Sequence, residues 1–448
     1  MQLKNNQKQF QIEKYKSIGF YSAGIFGITL LLVVLNIFTP LRLNTDGIRY
    51  LNILEYLKGN LDKNSGAAHD FLPHGYSSYL LLLDKIHLLS AASITLTNIF
   101  SVFFSSYVLA KILKIENKLI YYTIVLISFI NIKQYTLPIS DQVFALLFIT
   151  GIYFWFYFFK GRLYFIIPAL LITMASIYVR TAGIATLMGV ILYIIYLNRN
   201  KILKRKILSG LIALLIIVFL ICFISNLSFF ENKIDYIKQL KLEEVIKNPF
   251  LIVGRLLIHF QEFGEITLNI PYSKLSAIVH ISNFNLSLYL LIALGIISLW
   301  IAGKVIIYLK FYSSFVFWAL VSYLLMIFLW PFYDTRFLLP IVPLIIYFLF
   351  YYLFSSDKVR YPQIAYLLVY ASFGLISLAY SDALSLNKTF FLNHYGFDPV
   401  LTNAYKIHFE NEKLNVADKP VYDINKDDVL YLLEEYDRKP LIPHAPAK

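Results

Sequence analysis

"LRLNTDGIRYLNILEYLKGN", residues 41–60, follows an apolar run at 18–39 and sets a carboxylate, Asp46, directly after it. Downstream, Tyr50, Ile53, Leu54, Leu57 and Leu61 recur at helical spacing, which predicts an amphipathic helix lying in a membrane interface. Asn44, Thr45 and Asp46 are all good N-capping residues, and an acidic group there complements the helix dipole. Asp46 therefore has two readings, helix cap and chemical group, and one does not exclude the other.

Composition sets the frame around this stretch. Of 448 residues 58% are hydrophobic and 15% charged, far from soluble-domain averages. Apolar runs of about 20 residues satisfy their own backbone only as helices, so the expected class is an all-α polytopic membrane protein rather than a barrel. Eleven spans are expected, near 18–39, 92–113, 119–137, 142–159, 163–179, 182–197, 208–226, 286–303, 313–330, 337–354 and 363–380. Residues 1–17 form a cytoplasmic N-terminus carrying Lys4, Lys8, Lys14 and Lys16, residues 18–380 the membrane domain, and 381–448 a small extracytoplasmic tail. In the tail, "DDVLYLLEEY" (427–436) predicts one helix.

Basic residues cluster in alternate short loops: Lys111, Lys114 and Lys118; Lys160 and Arg162; 198–206; Lys304 and Lys310; Lys358 and Arg360. The positive-inside rule places these in the cytoplasm and puts the long segments 40–91 and 227–285 outside. The formal charge of +13 is then partly a topogenic signal and does not imply nucleic acid. The single cysteine, Cys222, excludes a disulfide framework and a thiolate metal site.

The expected spans carry essentially no ionisable side chains. Charge gathers instead at their expected outer ends, as Lys133, Asp141, Arg180, Asp334 and Arg336. Three of these are cations on the side where topology disfavours them, and an anionic ligand at that surface would account for it. Arg180 and Arg336 also fit as snorkelling anchors, and Asp141 as a cap after Pro138. His69, Asp70 and His74 lie close in the first loop, and His259 and Glu262 have i, i+3 spacing; ordinary polar positions explain both sets. The stretch 248–264 reads as an interfacial helix or a buried packing helix.

"DGIRYLNILEYLKGN" (46–60), "FLPHGYSSYLLLLDKI" (71–86), "YTLPISDQVFALLFITGIYFWFYF" (135–158), "IYVRTAGIATLMGVILY" (177–193) and "WPFYDTRFLLPIVPLIIYF" (330–348) resemble, in order and spacing, segments of GT-C fold membrane glycosyltransferases. The similarity is to the protein mannosyltransferase and aminoarabinose transferase group, glycosyltransferase families 39 and 83, and covers roughly residues 18–355. It implies a GT-C-like helical bundle in the cytoplasmic membrane, with interfacial helices in the first outer loop. It also implies inverting transfer of a sugar from a polyprenyl-phosphate donor to a hydroxyl on a glycan, lipid or protein acceptor outside that membrane. Residue by residue, Asp46 and Asp141 become candidate catalytic carboxylates, and Lys133, Arg180 and Arg336 candidate ligands of the donor phosphate. Tyr50, His74, Tyr76 and Asp334 become candidate lining of the substrate cavity. Many relatives have Asp-Glu where this chain has Asp46-Gly47, so a divalent metal is left open.

Two other functions stay in view. An O-antigen-type polymerase or ligase predicts a long outer loop between late spans. A transporter or lipid-glycan flippase predicts duplicated halves, broken helices or charges at mid-membrane depth, none of which the sequence displays.

Overall fold

A computed structural model describes residues 21–198, 240–279, 285–355, 361–396, 398–410 and 425–437. The expected span 208–226 with Cys222, the N-terminal lysines and parts of the tail lie outside the described residues. Within them the chain is helical and has no strand. In order the helices are α1 (Tyr21–Phe38), α2 (Thr45–Lys58), α3 (Gly75–Lys85), α4 (Ala91–Leu113), α5 (Lys118–Leu126), α6 (Phe129–Gln134), α7 (Asp141–Phe159), α8 (Ile166–Val179) and α9 (Ile184–Asn198). There follow α10 (Leu242–Lys247), α11 (Phe250–Leu268), α12 (Tyr272–Ile278), α13 (Leu286–Tyr308), α14 (Phe315–Leu329), α15 (Val342–Leu349), α16 (Tyr351–Ser355), α17 (Tyr361–Leu386), α18 (Lys388–His394), α19 (Pro399–Glu410) and α20 (Lys426–Tyr436). A 3-10 segment, Thr335–Ile341, leads into α15.

Six of these are long and apolar enough to cross a membrane: α1, α4, α7, the run Thr181–Asn198 that contains α9, α13 and α17. The chain is thus consistent with a multi-pass membrane protein. The expected spans at 163–179, 313–330 and 337–354 are apolar but shorter helices.

The expected span at 119–137 is not one helix but two, α5 and α6, broken at Ile127 and Ser128. Asn269 repairs the break. Its side chain accepts from Phe129 N at 2.7 Å and donates to Ile127 O at 3.1 Å and Tyr370 O at 2.9 Å. Backbone groups freed inside an apolar bundle need such a partner. The sequence shows only an unbroken apolar run, so the broken helix it seemed to lack is present.

The helix α2 forms where its periodicity places it, and its apolar stripe packs on protein. Ile53 and Leu54 are fully buried, and α3 and α20 pack against it. The apolar stripe faces protein because the tail folds back over it. Val429, Leu432, Leu433 and Tyr436 of α20 join the same buried cluster as Leu51 and Leu54. Among the described residues three helices, α18 to α20, rather than one, follow α17.

The tail also closes on the backbone just before α2. Tyr405 Oη accepts from Leu43 N at 2.8 Å and donates to Leu41 O at 2.7 Å. Asp437 accepts from Leu41 N at 2.9 Å, and Tyr395 donates to Leu43 O at 2.8 Å. Beside this, Arg42 is buried and donates to Thr39 Oγ1, Ser381 O and Ser385 Oγ at 2.8, 2.9 and 2.7 Å, joining the ends of α1 and α17. Burial lowers the Arg42 guanidinium to about 10, opposed by the neighbouring Tyr395.

The stretch 248–264 combines both expected characters. In α11, Phe250 and Val253 are exposed, whereas His259, Glu262 and Glu265 are fully buried. Its buried half crosses α13 closely: a Cβ on Gly264 would meet Leu291 O at 1.9 Å, and one on Gly295 would meet Phe260 O at 1.8 Å. Only glycine permits that approach.

Candidate functional site

The geometry around Asp46 starts with which residue caps α2. Asn44 does: its backbone is extended and its side chain accepts from Gly47 N at 2.7 Å. Asp46 sits in the first turn with its carboxylate free for other partners. Gly47 lies against the loop before α7, where a Cβ would come within 2.9 Å of Pro138 Cγ and of Asn44 Oδ1. Any side chain at position 47 would press on both neighbours.

Asp46 Oδ2 lies 2.5 Å from Arg336 Nη1, and its Oδ1 lies 3.8 Å from Arg49 Nη1. Arg336 pairs through Nε with Asp334, whose Oδ1 also accepts from Arg336 N at 3.1 Å and so caps the 3-10 segment. Arg180, at the junction of α8 with the turn before α9, pairs with Asp141 at the start of α7. The ring of Phe337 is shared by both arginines, 5.0 Å from the Arg180 guanidinium and 5.7 Å from that of Arg336. Such contacts favour cations over an aromatic face. The field of Asp141 reaches Arg336 together with those of Asp334 and Asp46, so the two ion pairs form one electrostatic cluster.

Tyr50 closes the cluster from α2. Its hydroxyl shares a 2.7 Å hydrogen bond with Ser140, the residue before Asp141. Burial raises the Tyr50 phenol above its ordinary range, while the nearby Arg180 opposes the rise. Tyr76 is buried edge-on to Tyr50, with ring centres 5.1 Å apart, and supports it from behind.

His74 and Lys133 are the remaining expected residues. His74 has its ring contact with Tyr56, at 6.4 Å. Lys133 is exposed and forms no ion pair among the described residues, though α6, which carries it, packs on the Thr335–Ile341 segment. No group of three or more His, Cys, Asp or Glu among the described residues is arranged to hold a metal ion.

Residues that sequence reasoning either passed over or read as ordinary polar positions complete the site. Arg49 forks onto Asp70, Nε to Oδ2 at 2.8 Å and Nη2 to Oδ1 at 2.5 Å, and lies 4.1 Å over the Phe71 ring. Its i+3 spacing from Asp46 was the available signal. Behind Asp334 stands α11. Glu262 Oε1 accepts from Asp334 N at 2.6 Å, and its Oε2 meets His259 Nδ1 at 2.8 Å. His259 Nε2 lies 2.9 Å from Trp330 O, a carbonyl, so this nitrogen carries a proton. Tyr333 donates to Glu265 at 2.5 Å. His259 and Glu262, read from the sequence as ordinary polar positions, form with Glu265 the buried brace of the loop that ends in Asp334 and Arg336.

Compared with known proteins, the chain matches no family model, no curated protein and no solved structure.

Proposed function

We propose that the chain is a GT-C-type membrane glycosyltransferase of about eleven spans, with the N-terminus cytoplasmic and the site and tail outside. It moves a sugar from a polyprenyl-phosphate donor to an acceptor hydroxyl, with inversion. One observation carries the reading: α2, the start of α7, the end of α8 and the Thr335–Ile341 segment, far apart in sequence, bring Asp46, Asp141, Arg180 and Arg336 into one charged cluster. Each of these residues lies in a segment that resembles the family.

In the reaction the acceptor oxygen bonds to the anomeric carbon as the bond from that carbon to the phosphate oxygen breaks. The bonding pair leaves with the polyprenyl phosphate, and the hydroxyl proton passes to Asp46. A positioned carboxylate contributes about 10²–10⁴-fold to such a step. Arg336 and Arg180 supply fixed positive charge near the leaving phosphate. Incubating the purified chain with a panel of polyprenyl-phosphate sugars and acceptor pools, followed by mass spectrometry, tests it. Sugar appearing on an acceptor supports the reading, and intact donors throughout the panel refute it.

A second reading, transport of a lipid-linked glycan, is favoured by the broken α5–α6 pair. Donor that changes bilayer leaflet in proteoliposomes without losing its sugar would select it.

A further inference from the structure

A general base needs a lone pair within reach of the proton it removes. As described, Asp46 Oδ2 is occupied by Arg336 Nη1 at 2.5 Å, and its Oδ1 faces Arg49 Nη1 at 3.8 Å. Under the transferase reading, on which this inference rests, the described geometry is therefore a resting arrangement that something must open.

The two arginines differ in how far they are free to move. Arg49 is fixed by its two-point fork on Asp70 and its seat on Phe71, and Asp70 is itself held by Leu72 N at 2.7 Å. Arg336 is fixed on one edge only. Its Nε stays with Asp334, two residues away and tied by its own N–H to the buried Glu262. The opposite edge, Nη1, is spent on Asp46, and both side chains of that pair are about one-fifth exposed, at 20% and 21%. A ligand can reach it.

We infer that a phosphate ester takes over the Nη edge of Arg336 and so releases Asp46 Oδ2 to accept a proton, which makes the base available only after the donor is seated. A phosphate offers several charged oxygens to a planar fork where Asp46 offers one. Neither side is stranded by the exchange. Asp46 keeps Arg49, and Arg336 keeps Asp334.

The exchange predicts an unusual sign. Removing the charge of Asp46 removes the competitor of the phosphate, so Asp46→Asn should bind it severalfold more tightly than the native chain. A base without this role leaves the affinity unchanged, and a structural one weakens it. The test uses the full chain in phosphatidylcholine nanodiscs, with undecaprenyl phosphate and, separately, inorganic phosphate as probes, and reads binding by native mass spectrometry. Difference infrared spectra of the native chain, with Asp46→Asn subtracted, follow the Asp46 carboxylate band.

Tighter binding by Asp46→Asn, with a band shift in the native chain on adding phosphate, supports the exchange. The probe that saturates at the lower concentration identifies its source. Binding that depends on Arg336 but is unchanged or weaker in Asp46→Asn overturns the exchange and leaves the transferase reading intact. Binding that survives Arg336→Gln overturns the donor site itself.

Discussion

Replacing Asp46 by Asn separates cap from chemistry, because the cap belongs to Asn44. Asp46→Asn should leave α2 and the thermal midpoint nearly unchanged while transfer falls by about 10²-fold or more. A variant with native turnover, measured where chemistry limits the rate, would move the base to Asp141. That residue needs different handling. Asp141 is buried against Arg180, and removing one member of a buried pair costs about 3–5 kcal/mol, so Arg180→Gln probes folding before it probes function. At Gly47, whose Cβ would press on Pro138, Gly47→Ala should destabilise by about 1–3 kcal/mol in denaturant titration. No loss would mean that the loop before α7 yields freely.

Among the elements, α11 carries the clearest dependence on pH. Burial pushes the Glu265 carboxyl from 4.5 up to about 7, with the Tyr333 hydrogen bond opposing. The folded chain then holds a proton that the unfolded chain releases. Its contribution to stability is complete below about pH 4.5 and is lost as pH rises through about 7. Melting temperature should therefore fall across that window, and Glu265→Gln should flatten the slope apart from a remainder due to Glu262, which burial also raises. An unchanged slope would show that Glu265 is ionised when folded. This element also marks how far the sequence could be read. Helical periodicity located α2, α4, α7 and α20, since spacing is a local property. The break after Ile127 was hidden because its repair comes from Asn269, and Arg42 was overlooked because its hydroxyl partners Ser381 and Ser385 have no distinctive spelling. Arg180 and Arg336 stood out as misplaced cations, Asp141 as a charge at an expected outer span end and Asp46 as a carboxylate after an apolar run, but their pairing depends on contacts that no periodicity encodes.

For the whole molecule, the decisive contact is the closure of α18–α20 on residues 41–43 and on α2. Glu55 holds the second half of that closure, accepting from Tyr431 at 2.7 Å and Asn60 at 2.6 Å and pairing with Tyr436 and with Lys58 at 3.1 Å. Burial works to raise its carboxyl, but hydrogen bonds from Tyr436, Asn60 and Tyr431 outweigh it and hold the group below the usual range. Tyr405→Phe would leave Leu43 N and Leu41 O unpaired in a buried place, at about 1–3 kcal/mol for each orphaned group. Lower thermal stability and faster proteolysis near residue 41 are expected, and a variant as protected as the native chain would refute the clamp.

The same closure sets an order of events during synthesis. Leu43 and the Tyr405 hydroxyl that satisfies it are 362 positions apart, and every helix in the described residues long enough to cross a membrane is made between or before them. The segment leading to Asp46 is therefore made early and lacks its Tyr405, Tyr395 and Asp437 partners until the later helices are translated. A chain halted after α17 would carry those helices and the charged side chains of the site, but not the contacts that hold the approach to Asp46 in place.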